Sequence, residues 1–266
     1  MAANDADGNI VWSWHIWVTT ETFASLTTVA TGSHNYQVTP VNLGWVPTGG
    51  EGKQGYNTYY QWGRKDAFIP GKSNSTTNHT VYDISNATMT GLTFKVSTAT
   101  IADNIKNPTT HYYNSSTKAP CTTTYYNMWD AQQTGTDNIA AATKKTVYDP
   151  SPAGFCVPTG NLYNFIGNNG NRSMTTWDGT NKGATWDNTV VASITGNALF
   201  FPASGMRNFN SVSLNEVGSL GFYWSASPYN GKDGNGGRNL YFGSSSWYWG
   251  SSRRAYGFSV RAVAEE

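Results

Sequence analysis

The residue types that catalyse reactions or bind metal ions are present, but they are not grouped into recognisable motifs. The four histidines show no HxH or HExxH spacing, so the sequence predicts no zinc or iron site. They are His15, His34, His79 and His111. Ser204 lacks the first glycine of the turn that presents a catalytic serine, and no motif places a histidine beside it. Serine catalysis is therefore not predicted.

Five acidic side chains leave one catalytic alternative open. Any two of them could meet across a cleft and hydrolyse a glycosidic bond, because that reaction needs two carboxyl groups at a defined distance in space. They are Asp130, Asp149, Asp178, Asp187 and Glu216. Structural or solvated carboxylates are the commoner case, so we expect no enzyme and no metal or organic cofactor. Cys121 and Cys156 either form one disulfide or remain two thiols, and the sequence leaves both readings open.

A different chemistry is concentrated in residues 222–266, where Tyr, Trp, Ser, Gly, Asn and Arg dominate. The same residue types dominate evolved binding surfaces, because aromatic side chains give a large contact area at a low entropic cost and small polar residues adapt their hydrogen bonds. An ordinary β-core with polar loops is the alternative explanation of this composition.

Strand periodicity indicates how these side chains would be positioned. Apolar residues occupy alternate positions in 239–249, so they should lie on one face of two strands while the residues between them face outward. These apolar residues are Leu240, Phe242, Trp247 and Trp249. The pattern predicts five strands in this half of the chain, at 198–201, 221–225, 238–242, 246–249 and 256–263.

The rest of the chain predicts a mixture of strands, short helices and loops. Alternation over Ile10–Val18 predicts a strand that is buried on both faces. Two short helices are expected, Asp137–Lys145 and Gly160–Ile166, the second capped by Thr159. Residues 71–118 are rich in Ser, Thr and Asn and are expected to form long loops around one strand. Three indole rings, those of Trp62, Trp224 and Trp247, are expected in the core.

Charge and hydrophobicity exclude two classes of partner. The net charge is +1, so no basic field is available to bind a nucleic-acid backbone. No run of 18 apolar residues occurs, so we expect no direct membrane insertion. The first residues lack the features of a signal peptide, and we expect the chain to be cut from a longer exported protein.

Several short motifs, taken together, resemble the Fibrobacter major paralogous domain family of bacterial surface proteins. They are residues 12–15 (WSWH), 42–44 (NLG), 60–64 (YQWGR), 149–159 (DPSPAGFCVPT), 223–227 (YWSAS) and 257–263 (GFSVRAV). The resemblance spans nearly the whole chain. It implies an α+β, C-type-lectin-like fold, related to that of the formylglycine-generating enzyme, with short helices, small antiparallel sheets and long loops in a single domain, 1–266. It also implies that the segment 12–18 lies beside the segment 258–263.

The same family includes the variable proteins of diversity-generating retroelements, in which template adenines are randomised and the C-terminal strands carry the changes. This resemblance implies a variable region at about 223–263. The positions that correspond to randomised Asn codons are Asn239, Tyr241, Gly243, Ser246, Tyr248, Gly250, Ser251, Ser252, Arg253 and Tyr256. Changing only the adenines of the codon AAC reaches Tyr, Gly, Ser and Arg, so every residue in this set is accessible. Asn230 and Asp233, in the preceding loop, could extend the same ligand-binding surface.

The resemblance implies a ligand-binding adhesin or receptor-binding protein with a hypervariable surface. The expected partner is a protein or glycan on another cell or surface. The expected location is the bacterial cell surface, at a pilus tip behind an N-terminal pilin-like region, or alternatively a phage virion. A fixed-specificity lectin, a structural exoprotein and an enzyme of the same fold family are the alternatives. No cysteine follows Cys156, unlike the formylglycine-generating enzyme, and the calcium motifs of sugar-binding C-type lectins are missing.

Overall fold

A computed structural model describes residues 1–19, 25–31, 34–45, 57–70, 80, 87–88, 93–135, 142–167, 176–189, 192–211, 213–230 and 235–266. Within these ranges the chain is built from short strands, most of them in small antiparallel sheets, and two short helices. The helices are α1 (Ile101–Lys106) and α2 (Gly160–Gly167). The strands of the first half are β1 (Ala2–Asn4), β2 (Ile10–Ser13), β3 (Thr27–Thr31), β4 (His34–Val38), β5 (Tyr60–Gln61), β6 (Thr93–Val96) and β7 (Thr110–Tyr113).

The second half continues the same pattern. Its strands are β8 (Phe155–Cys156), β9 (Thr176–Asp178), β10 (Gly183–Trp186), β11 (Ile194–Thr195), β12 (Leu199–Pro202), β13 (Met206–Arg207), β14 (Leu214–Asn215), β15 (Gly221–Tyr229), β16 (Gly236–Phe242), β17 (Trp247–Arg253), β18 (Gly257–Phe258) and β19 (Val263–Ala264). The β-rich architecture and the strands predicted after residue 196 are confirmed, although the last predicted strand is divided into β18 and β19.

Six sheets organise these strands. The largest has the order β11-β3-β4-β19-β8, and the others have the orders β14-β13-β18-β5, β12-β10-β9, β15-β16-β17, β1-β2 and β6-β7. The pairing is antiparallel in all of them except β6-β7, which is parallel. The last strand lies inside the largest sheet, where Val263 pairs with Val38 on one side and Cys156 on the other.

The expectation for the segment 10–18 is wrong in two respects. Regular pairing ends at Ser13, and the side chains of Trp14, Ile16 and Val18 are 51%, 58% and 84% exposed. In the described part of the chain, β2 pairs only with the three-residue strand β1, so it does not lie beside the C-terminal strands. The strand of the N-terminal part that pairs with the C-terminal strand β19 is β4 instead.

The two helix predictions have different outcomes. Gly160–Ile166 is confirmed as α2, where Ser227 Oγ accepts a hydrogen bond of 3.0 Å from the Gly160 amide. Of the helix expected at Asp137–Lys145, residues 137–141 lie outside the described residues, and residues 142–145 are not helical. There Lys144 donates its backbone N–H to Asp130 Oδ1, and Lys145 forms a β-bridge with Asp130. Pairing with a preceding strand-like segment thus overrides local helix propensity.

The helix α1 lies in the stretch that the sequence predicted as loops. It begins with a reciprocal cap: the Asp103 amide donates to Thr100 Oγ1 at 3.2 Å, and the Thr100 amide donates to Asp103 Oδ2 at 2.7 Å. Such a capping box stabilises the first turn of a helix. The Thr-x-x-Asp pattern was therefore a signal for this helix, but only one apolar pair with helical spacing, Ile101 and Ile105, accompanies it.

Motif residues from distant parts of the sequence contact one another in the core. The Arg261 guanidinium donates from Nε to Asn42 Oδ1 at 2.7 Å and from Nη2 to the Phe200 carbonyl at 2.7 Å. The Trp224 indole donates to the Tyr60 carbonyl and the Trp62 indole donates to the Ser225 carbonyl, both at 2.8 Å. The motifs therefore fix the scaffold, because each satisfies buried polar groups of another.

Candidate ligand-binding surface

The three strands β15, β16 and β17 form one continuous antiparallel sheet that carries most of the candidate residues. On the central strand, Tyr241 pairs with Phe222 on one side and with Tyr248 on the other. One step away, Asn239 pairs with Trp224 and Gly250. Directly opposed residues share a face of the sheet, so this register confirms that 239, 241, 248 and 250 lie on the same side.

The opposite face anchors this sheet in the core. Leu240 and Phe242 are fully buried, and the Phe242 ring lies 5.3 Å from the Trp186 ring, centroid to centroid. Trp247 and Trp249 pair with Phe242 and Leu240 and are half-buried against the same apolar cluster. The predicted alternation is thus confirmed, but Trp247 is not a fully buried core residue, unlike Trp62 and Trp224, which are 1% and 0% exposed.

A row of stacked aromatic rings runs across the outward face and continues onto a neighbouring sheet. We call it the aromatic row, and it consists of Tyr248, Tyr241, Phe222, Phe258, Tyr256 and Phe209. Centroid distances are 5.5 Å from Tyr248 to Tyr241 and 5.2 Å from Tyr241 to Phe222. The row continues at 5.0 Å from Phe222 to Phe258 and 5.4 Å from Phe258 to Tyr256. The Phe209 ring then meets Tyr256 edge-on at 4.9 Å.

The ends of the aromatic row reach the surface while its middle is buried. Tyr248 is 49% exposed, and Tyr241, Tyr256 and Phe209 are half-buried. Phe222 and Phe258 are 9% and 1% exposed and support the row from below. Cross-strand aromatic pairs of this kind stabilise a sheet beyond their buried area, so the exposed tyrosines are held in a defined arrangement.

The predicted surface positions differ in how far they are accessible. Tyr248 and Ser251 are exposed, whereas six others are half-buried. These six are Tyr241, Ser246, Gly250, Ser252, Arg253 and Tyr256. Asn230 is exposed at the end of β15, and Asp233 lies outside the described residues.

Two of the predicted positions, Asn239 and Gly243, are buried, which corrects the expectation that they face solvent. Asn239 is 2% exposed in the middle strand, beside the indole of Trp224, over which the Phe258 ring stacks at 4.2 Å. At Gly243, a Cβ would lie 2.8 Å from the Leu220 side chain. Alternation gives the face of a side chain but not whether another element covers that face.

Arg253 supplies a cation at one end of the aromatic row. Its Cζ lies 4.6 Å from the centroid of the Phe209 ring, a distance at which a cation and an aromatic face attract each other. Burial raises the pKa of the Tyr256 hydroxyl, and the charge of Arg253 acts in the opposite direction. The phenol therefore stays protonated at neutral pH and can donate or accept a hydrogen bond.

Sequence reasoning missed the phenylalanines of the row. Phe222 could have been found, because it lies next to the inward-facing Tyr223 and must therefore point to the opposite face. Phe209 lies outside the three-stranded sheet, and nothing in its sequence neighbourhood indicates that it approaches Tyr256.

The acidic side chains that could have formed a catalytic pair are engaged in local turns. Asp149 Oδ1 and Oδ2 accept the amides of Ser151 and Val157 at 2.7 and 2.8 Å. The other four likewise accept hydrogen bonds from nearby residues: Asp130 from Lys144, Asp178 from Asn181, Asp187 from Thr189, and Glu216 from Ser219. These bonds favour structural roles for the five carboxylates.

The remaining sequence alternatives concern metals, cysteines and membranes. The described residues contain no group of three or more His, Cys, Asp or Glu side chains that could hold a metal ion. Cys121 and Cys156 are separate thiols. Neither described helix has the length and hydrophobicity needed to cross a membrane.

A matched pair of substitutions tests how the two cross-strand partners differ. A Cβ on Gly250 would meet no atom within 4 Å, whereas Asn239 is buried beside Trp224. We expect Asn239→Tyr to lower the free energy of unfolding by about 1–3 kcal/mol through overpacking. Gly250→Tyr should change it by less than about 0.5 kcal/mol. Urea denaturation of both variants checks this, and equal losses would contradict the assignment of Asn239 to the interior.

Comparison with known protein families finds a match that covers the part of the chain carrying this surface. A family described as a domain of unknown function (DUF8237) matches residues 168–263, which include all of β15, β16 and β17. No curated protein and no solved structure matches the chain.

Proposed function

We propose that the chain is a ligand-binding adhesin or receptor-binding protein that recognises a protein or glycan through the outward face of β15, β16 and β17. The observation that carries the proposal is the aromatic row, whose exposed ends present tyrosines and an arginine on a sheet anchored from behind. Tyrosine and arginine are enriched among the residues that contribute most to binding energy. Half-exposed rings that are already stacked lose little conformational freedom when a ligand docks on them.

The division of the sheet into two faces supports a surface that tolerates changes in sequence. The core-facing side chains of Leu240 and Phe242 hold the strands, so substitutions at Tyr248 or Gly250 on the opposite face need not disturb the packing beneath them. We further propose that a retroelement diversifies this surface, since the residues found at these positions are all reachable from AAC. Asn239 and Gly243 belong to the supporting structure in this proposal and do not contact ligand.

The scaffold and the location belong to the same proposal. We propose a single C-type-lectin-like domain, displayed on the bacterial cell surface or at a pilus tip. The short antiparallel sheets and the return of the C-terminal strand beside β4 support such a scaffold. A reverse transcriptase gene next to the coding gene, with a near-identical repeat that carries adenines, is the genomic observation expected for a diversified protein.

A displayed library tests the proposed surface. We would randomise six accessible positions with the codons reachable from AAC and select against a panel of surface proteins and glycans. These positions are Ser246, Tyr248, Gly250, Ser251, Ser252 and Arg253. A smaller control library would randomise Thr176 on β9 and Gly179 and Thr180 on the turn after it, all of which are exposed.

The proposal expects specific binders from the first library, each with a melting temperature close to that of the parent, and few or none from the control library. Exposed substitutions usually change stability by less than about 0.5 kcal/mol each, which is why folding should survive the exchange. Binders from the control library alone, or general unfolding of the members of the first library, would refute the proposed surface.

A further inference from the structure

A small cavity lies beneath the start of β16, away from the proposed ligand-binding surface. Its volume is about 30 Å³, which is room for roughly two water-sized species. Arg64, Asn104 and Arg254 line it together with Cys121, Ile105 and Ala119. Most of its wall is apolar, so the charged and polar side chains have few partners there.

Three polar atoms of the cavity-lining residues have no hydrogen-bond partner among the residues that the structure describes. They are Arg64 Nε, Arg254 Nη2 and Asn104 Oδ1, and their side chains belong to residues that are only 4%, 3% and 5% exposed. Buried N–H and carbonyl groups are nearly always hydrogen-bonded in folded proteins, and leaving one unsatisfied is costly. All three atoms belong to residues that line one cavity, and this coincidence favours a polar occupant there.

The other atoms of Arg254 are firmly placed. Its Nε donates to the Gly236 carbonyl at 3.0 Å, Nη1 donates to the Tyr125 carbonyl, and Cζ lies 4.0 Å from the centroid of the Trp62 ring. Among the described residues no carboxylate pairs with it. Burial lowers the pKa of this guanidinium to about 10, so it remains charged at neutral pH.

The balance of charge around the cavity is positive. Among the described residues, Asp66 is the one carboxylate that lines it, and this carboxylate is shared between Lys65 at 2.5 Å and Arg64 at 3.5 Å. Arg254 adds a third cation, for which the described part of the chain supplies no counter-charge. A buried charge is unfavourable unless it is paired, and water alone would satisfy the N–H groups without neutralising the guanidinium.

Another buried arginine shows that burial alone does not leave guanidinium nitrogens without hydrogen-bond acceptors. Arg261 is 1% exposed, and its nitrogens donate to Asn42 Oδ1 and to the carbonyls of Thr39, Pro40 and Phe200. Arg261 therefore has acceptors for Nε, Nη1 and Nη2, whereas Arg64 and Arg254 each leave one nitrogen unsatisfied beside the same cavity.

We propose that this cavity binds a small monovalent anion, of the size of chloride, between Arg64 and Arg254. The volume also admits one water, which donates a hydrogen bond to Asn104 Oδ1. The anion neutralises the guanidinium that holds the Gly236 carbonyl, and it thereby stabilises the start of β16 behind the ligand-binding sheet.

Anion exchange at constant ionic strength tests this site. The melting temperature is measured in sodium gluconate, whose anion is too large for the cavity, while chloride progressively replaces gluconate. We expect a saturable rise in melting temperature with chloride, because a ligand that binds only the folded state stabilises it by mass action. Arg254→Met should abolish the rise. Arg238→Met, the same change at an arginine outside the cavity, should retain it.

The reactivity of the Cys121 thiol gives an independent measurement of anion binding in the cavity. It lines the cavity and is partly accessible, whereas Cys156 is 2% exposed, so a thiol reagent such as Ellman's reagent should report mainly on Cys121. The charge of Arg254 favours the Cys121 thiolate by lowering the pKa of the thiol against the effect of burial, and a bound anion would cancel that influence. At a chloride concentration about ten times Kd, the labelling rate should fall about tenfold, because only the unoccupied fraction reacts readily.

A second variant guards against misfolding of Arg254→Met. Ala119 is 2% exposed in the cavity wall, so Ala119→Leu fills the space without removing a hydrogen bond from its side chain. It should lose the chloride response in both measurements. The proposal is overturned if the wild-type protein does not distinguish chloride from gluconate, which would indicate water alone in the cavity. It is also overturned if the filled-cavity variant responds as the wild type does, because chloride would then act at another site.

Discussion

Replacing Trp62 with alanine should lower the free energy of unfolding by about 3–5 kcal/mol, the range for truncating a fully buried large aromatic side chain. The ring is 1% exposed and lies 5.6 Å from the Trp129 ring, centroid to centroid. Its indole N–H donates to the Ser225 carbonyl at 2.8 Å. Truncation therefore creates a cavity and also leaves a buried acceptor on β15 without its partner.

The contact between Trp62 and β16 sharpens this prediction. A Cβ on Gly237 would lie 2.4 Å from Trp62 Cδ1, so only glycine allows the strand to approach the indole this closely. Gly237→Ala should therefore destabilise the wild-type protein, but it should cost much less in the Trp62→Ala background, where the ring is absent. A double-mutant cycle measured by urea denaturation gives this coupling.

Trp14→Ala is the matched control for Trp62, since it removes the same side chain where it is 51% exposed. It should change the free energy of unfolding by about 0.5 kcal/mol or less. Similar losses at Trp14 and Trp62, or additive effects of Gly237→Ala and Trp62→Ala, would contradict the packing of β16 on this indole.

Strand alternation predicted the two faces of the C-terminal sheet because a period of two is a local property of the chain. Leu240 and Phe242 point to the core and Tyr241 points away, as their spacing alone requires. How deeply each outward-facing side chain is buried was not predictable in the same way. Asn239 and Tyr241 share a face, but Trp224, with Phe258 stacked on it, covers only the Asn239 end.

Hydrophobic patterning failed at residues 10–18, where β1 is the one strand of the described residues that pairs with the segment. The alternation at 10–18 is as regular as that of β16, yet Trp14, Ile16 and Val18 remain exposed. Periodicity records which side chains favour burial, whereas burial itself depends on strands contributed from elsewhere. The opposite error occurred at α1, a six-residue helix whose capping box is its main local signal.

The candidate surface also has parts that follow from local periodicity and parts that depend on tertiary contacts. Tyr241 and Tyr248 follow from alternation and the hairpin register. The continuation of the aromatic row through Phe258 to Tyr256 and Phe209 joins three segments whose approach depends on the tertiary fold. Such long-range contacts carry no periodic signature in a single sequence.

Acidification should destabilise the protein through His111, which is fully buried on β7. Its ring lies 5.3 Å from the Phe68 ring, centroid to centroid. Burial, together with the nearby charges of Arg64 and Arg207, lowers the pKa of this imidazole to about 3. An unfolded histidine has a pKa of about 6.5. Between these values the unfolded chain binds a proton that the folded chain does not, so stability is retained above about pH 6.5 and is lost as the pH falls towards 3.

The expected loss is about 1.4 kcal/mol per pH unit, or roughly 3 kcal/mol between pH 6.5 and 4. Asp149 acts in the opposite sense, because burial raises its pKa to about 6 and its contribution to stability is present at low pH and lost as the pH rises. Comparing the wild-type protein with His111→Leu at each pH removes this shared contribution. The free energy of unfolding by urea should fall more steeply with acid in the wild type, and parallel pH profiles for the two proteins would show that His111 is protonated in the folded state.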